Sequence, residues 1–232
     1  MKLGWLPAIA LSIAASVTSA AAATVTYSFT SNGLTQIVNP LSTAQTGAQF
    51  YAYADSETGA PLPLSAKGLQ FYLHENSNTG DVSLGIIANA NNGGGSGSLA
   101  ATLRGDVGGT TALVRDDTVA PDSSEFVSTP MWVLYREWTT GKTDGFVLGN
   151  LTGDNWSIDF NVLAMSGILT NKLFFFSDEG GSTPAAFSFA DPTSNTLTIS
   201  KVTAAVPLPA SAPLLLLAGG GLVALRRRRR KA

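Results

Sequence analysis

The chain has 232 residues, one histidine and no cysteine, with 14 basic against 16 acidic side chains. No disulfide or thiolate chemistry is open to it, and a lone histidine leaves no nitrogen–sulfur ligand set for zinc. The formal net charge of −2 conceals a division that shows when the chain is read in order.

The first 23 residues, MKLGWLPAIALSIAASVTSAAAA, carry one early charge at Lys2, an apolar stretch from Leu3 to Val17, and then small residues. That order is the signature of a secretory signal peptide, with cleavage expected between Ala20 and Ala23. Pro7 inside the run and the abrupt change to TVTYSF argue against a buried helix. Setting aside Lys2 and the basic end Arg226–Lys231 leaves seven basic and all sixteen acidic residues, a net charge of −9 for the exported body. Such a body offers no basic face to phosphates, so nucleic acid is excluded as a partner. It suits an extracellular protein or one that meets cations.

Residues 24–205 are expected to form one exported β-rich domain, a size within the single-domain range for all-β folds. TVTYSFT places Val25, Tyr27 and Phe29 on one face and Thr24, Thr26 and Ser28 on the other. GLQFYLHE, MWVLYREW, DGFVLGNL, WSIDFNVLA, KLFFFSDE, AFSFA and TLTISKV follow, separated by Gly, Asn, Asp or Pro. Short alternating runs between turn residues predict an all-β sandwich or jelly roll. Between the termini no segment sustains a helical period with caps. The stretch Asn89–Ser98 reads as a flexible loop or hinge, with too few strands before it for a separate core. No internal repeat keeps a fixed spacing.

Chemistry is sparse. His74 stands beside Glu75, but neighbours on a strand point to opposite faces, so the two do not converge. A surface or edge histidine is expected. Asp116, Asp117, Asp122 and Glu125 crowd four acids around Pro121. Calcium favours such oxygen-rich loops in extracellular modules. The spacing is not that of an EF-hand, so a solvated acidic turn is the plainer reading. The same holds for Ser177–Ser182. In MWVLYREW, alternation sets Trp132, Leu134, Arg136 and Trp138 on one face. Such a face ordinarily lines a core, with Arg136 at its rim. Exposed instead, Trp132 and Trp138 flanking Arg136 could stack on sugar rings. No catalytic residue and no cofactor is called for.

The chain ends VPLPASAPLLLLAGGGLVALRRRRRKA, Val206–Ala232. No charge interrupts Val206–Leu225, twenty residues that would span roughly 30 Å as a helix, the thickness of a bilayer core. The apolar heart, about 212–225, is shorter, and Gly219-Gly220-Gly221 weaken it as a helix. It reads as a marginal transmembrane segment followed by a basic tail, 226–231. Arg226, Arg227, Arg228, Arg229 and Arg230 would hold that tail in the cytoplasm and leave the body outside.

A proline motif, an apolar helix and a basic terminus in this order resemble the PEP-CTERM sorting signal of Gram-negative bacteria. Val206, Pro207, Leu208, Pro209 and Ala210 resemble its VPLPA variant. The resemblance covers 27 of the 232 residues. It implies that an exosortase-type membrane transpeptidase recognises the motif and removes or exchanges the helix. Leu208 stands where the commoner Pro-Glu-Pro form has glutamate, which bears on the class of exosortase. Pro207 and Pro209 keep this segment extended, a backbone that a processing enzyme can grip. The expectation is a membrane-anchored precursor that becomes a non-enzymatic cell-surface or extracellular-matrix protein. Its partners would be the sorting enzyme, the membrane and, as a candidate ligand, exopolysaccharide. A carbohydrate-binding surface module is the alternative, with a secreted hydrolase more remote.

Overall fold

Alternation along TVTYSFTS makes β1 (Thr24–Ser31), which turns at Asn32-Gly33 into β2 (Leu34–Val38). Both turn residues sit at positive φ, 50° and 74°, as a two-residue type I′ hairpin requires. After β3 (Leu41–Thr43) comes α1 (Gly47–Tyr51). This is a capped single turn where no helix was expected. Gln49 N–H donates to Thr46 Oγ1 at 3.2 Å and Thr46 N–H donates to Gln49 Oε1 at 2.9 Å. The reciprocal pair is a capping box, on a helix too short to show a period.

Strands make up the rest: β4 (Leu69–Asn76), β5 (Val82–Ala88), β6 (Gly97–Gly105), β7 (Thr111–Arg115) and β8 (Ser123–Ser128). Then come β9 (Met131–Trp138), β10 (Asp144–Gly149), β11 (Trp156–Ser166), β12 (Leu173–Ser177), β13 (Ala185–Ser188) and β14 (Leu197–Ala204). This computed structural model describes residues 24–51, 62, 66–88, 95–106, 109–115, 123–128, 131–141, 143–180, 184–189, 191–193 and 195–204. Each of the eight runs quoted above overlaps a strand. The expected hinge is shortened, because β6 already begins at Gly97; residues 89–94 lie outside the described ones.

The strands form two sheets, one ordered β2-β1-β14-β11-β6-β9-β8 and the other β13-β12-β4-β5-β10-β7. In the second, β4 has two parallel neighbours along one edge: β12 beside Leu69–Tyr72 and β3 beside His74–Asn76. The handover between them is tied by Asn39, whose N–H donates to Ser177 Oγ at 2.8 Å. Asn39 O in turn accepts from Asp178 N–H at 3.1 Å.

One apolar core draws on both sheets, joining Leu99, Trp132, Ile158 and Leu197 of the first to Phe71, Leu84, Phe146 and Phe175 of the second. Phe29 from β1 lies 4.6 Å from Phe175, and Phe71 meets Phe160 edge-on at 4.9 Å, so aromatic contacts tie the two sheets together. The all-β expectation holds, in a two-sheet arrangement consistent with a sandwich. Val25–Ala204 is one compact unit.

A second cluster covers the far face of the second sheet, where Leu41, Phe50, Tyr51 and Leu62 meet Tyr72, Ile87, Val147 and Phe176. Strands β4, β5 and β10 are therefore buried on both faces, so β5 reads VSLGIIA rather than alternating. Glycines make room for rings there. The Tyr72 ring lies on Gly85, directly opposite it in the β4–β5 ladder, and the Tyr51 hydroxyl lies on Gly145. A methyl at either position would overlap the ring system in a packed layer. Gly85→Ala is expected to lower unfolding free energy by about 1–3 kcal/mol, read as a lower urea midpoint at unchanged slope.

Candidate functional site

Strand β9 runs antiparallel to β6 and β8 in the interior of its sheet. Its alternation is as expected, but its inward face is closed. Trp132, Arg136 and Trp138 are only 4%, 2% and 2% exposed. They lie in the inter-sheet core, so the sugar-stacking platform is withdrawn: no ring face is available to a glycan. Arg136 is not at a rim either. It meets Asp144 of β10 across the core, Nε to Oδ1 at 3.6 Å, and its guanidinium carbon lies 5.7 Å from the Phe146 centroid. Asp144 Oδ1 also accepts from Gly145 N–H at 2.6 Å. The ion pair spans the two sheets. Trp132 Nε1 donates to Thr110 Oγ1 at 2.8 Å, which satisfies its ring nitrogen within the core.

His74 corrects a second expectation. It sits on β4, inside its sheet, and is 0% exposed rather than at a surface or edge. Its ring stacks on Phe50 of α1 at 4.3 Å, and Nε2 and Thr43 Oγ1 of β3 share a hydrogen bond of 3.0 Å. Ser83 of β5 stands directly opposite in the ladder, and among the described residues neither its buried Oγ nor His74 Nδ1 has a hydrogen-bond partner. Burial pushes the His74 imidazole down to a pKa of about 4, because the charged form would lose its hydration. Beside it, burial also pushes the Tyr72 hydroxyl up. Glu75 turns to the opposite face as expected. There, burial and then the Glu75 carboxylate raise the Tyr27 hydroxyl.

The acidic loops part company. Asp116, Asp117 and Asp122 lie outside the described residues, as does the Glu125 side chain; the Glu125 backbone pairs with Val133. After β12 the plain turn is visible: Ser177 Oγ donates to Glu179 Oε1 at 2.7 Å and Asp178 Oδ1 accepts from Gly180 N–H at 2.8 Å. The second carboxylate thus closes its own Asx turn. Among the described residues no three His, Asp or Glu side chains gather as a metal site.

One groove is open. It holds about 400 Å³ between the β1–β2 hairpin and β13, with Ser31, Leu34, Thr35 and Gln36 on one wall and Phe187 and Phe189 on the other. No expected site residue lies in it. The hairpin that shapes it was legible in the Asn32-Gly33 turn, the strongest short hairpin signal in a sequence.

The signal peptide 1–23, the sorting motif Val206–Ala210, the apolar segment and the arginine cluster Arg226–Arg230 lie outside the described residues. Among the described residues no helix is long and apolar enough to cross a membrane. Comparison with family models, characterised proteins and solved structures finds no match.

Proposed function

We infer that this is an exported, non-enzymatic surface or extracellular-matrix protein, delivered by its leader and sorted through the Val206–Ala210 motif. The observation that carries this reading is the three-part tail: Pro207 and Pro209, an uncharged run to Leu225, then Arg226–Arg230. The strand bounds support it. β1 begins at Thr24, directly after the expected cleavage zone, and β14 ends at Ala204, just before the motif. In the sequence, both expected signals thus lie before and after the described strands. The body's net charge of −9 suits a soluble extracellular unit. Its buried Asp144 is held by Arg136 in the core rather than poised in a cleft.

Intact-mass analysis of the protein from native envelopes tests this reading. The expected mature chain starts between Ala21 and Thr24 and lacks Pro213–Ala232. A mass that retains the arginine tail would make it a plain C-terminally anchored protein and overturn the sorting role.

A further inference from the structure

Strand β2 forms one edge of the first sheet. Its register with β1, Ser31↔Leu34 through Tyr27↔Val38, is set by the two-residue turn. The pair flanking such a turn is hydrogen-bonded, so Leu34, Gln36 and Val38 point their backbone groups at β1. The N–H and C=O of Thr35 and Ile37 point away from the sheet. Across that edge the described contact is one side-chain cap, Gln36 Nε2 donating to Ile37 O at 3.2 Å. The strand carries none of the usual protections: no charge, no proline and no bulge. Leu34 is 77% and Ile37 53% exposed.

Charge patterning singles out the same edge. Although the body carries −9, no charged residue occurs from Leu3 to Ala54. Two copies meeting along β2 set no charged residue of that strand against another.

We propose that β2 is a self-association edge, pairing antiparallel with β2 of a second copy about a two-fold axis at Gln36. That register is self-complementary. Thr35 faces Ile37 of the second copy and Ile37 faces its Thr35, so every outward backbone group of both residues is paired. On one face the exposed Ile37 then packs beside threonine. On the other, Leu34 comes to lie opposite Val38 of the second copy, itself covered within the core. The two first sheets become one continuous sheet. The Gln36 cap is displaced, and its side chain meets its own symmetry mate. This goes beyond the proposed export and sorting and does not depend on them.

The axis gives a sharp test, because the natural chain has no cysteine. Gln36 and its mate form a non-hydrogen-bonded pair, with Cα atoms about 4.5 Å apart, inside disulfide range. In the full chain held in detergent, Gln36→Cys should form a disulfide-linked dimer under mild oxidation about tenfold faster than Thr35→Cys or the exposed turn variant Thr170→Cys. Ile37→Lys added to Gln36→Cys should abolish that advantage, since it sets charge on the shared edge. Equal rates at all three positions, an advantage at Thr35 instead, or one that survives Ile37→Lys would each overturn the proposal. Cross-linking of Gln36→Cys chiefly to a different protein in native envelopes would overturn it too, in favour of a foreign strand on the same edge.

Discussion

Asp144→Ala is expected to lower unfolding free energy by about 3–5 kcal/mol. Arg136 is 2% exposed and its partner 1%. Removing the carboxylate takes away the charge that faces a guanidinium held between two apolar sheets, beside the Phe146 ring. Arg136→Ala should be comparably damaging, because Asp144 then loses the guanidinium that faces it in the core. The pair as a whole is a different matter. Two charges brought out of water regain little net free energy from each other, so Arg136→Met with Asp144→Leu should recover most of either single loss. Urea unfolding of the parent, the two single variants and the double variant checks this. Single variants within about 1 kcal/mol of the parent would mean that the pair is hydrated and not a core element.

Acidification should destabilise the body through His74. Its folded pKa is lowered to about 4 against an ordinary 6.5, so the unfolded chain binds the proton more readily. Between those values the unfolded state holds more protons, and stability therefore falls as pH falls. The contribution is fully present above about pH 6.5, is lost through that window, and levels off below about pH 4. The size is on the order of 3 kcal/mol for a wholly buried ring. Among the described residues the groups around it offer no compensating charge. Thr43 and Leu41 come from β3, Phe50 from α1, Ser83 from β5, and Tyr72 and Asn76 flank it along β4. A charged ring would donate from both nitrogens, and among the described residues Nδ1 has no acceptor. Carboxylates titrate over part of the same range, so the readout is a difference. Stability of the parent minus that of His74→Gln should fall from pH 7 to 4. A difference that stays flat would mean that His74 already exchanges protons with solvent.

Period-two alternation let the sequence determine where many strands run, since it depends on neighbours two residues apart. MWVLYREW became β9 residue for residue, TVTYSFT and WSIDFNVLA fell inside strands, and TLTISKV did so from its second residue. The concentration of charge outside Leu3–Ala54 is likewise a property of sequence alone. Which face of a strand is closed, and by what, depends on elements far along the chain. β5 was missed because both its faces are covered, one by the inter-sheet core and one by the layer around α1, and a strand buried twice has no alternation to show. His74 looked like a surface residue until α1 and β3, drawn from residues 41–51, closed over it. Arg136 and Asp144 are eight positions apart on strands of different sheets, and only the packing of those sheets brings their charges together. Local sequence sets the period of a strand; the depth of a side chain, and with it the energy of its charge, is decided by what folds across it.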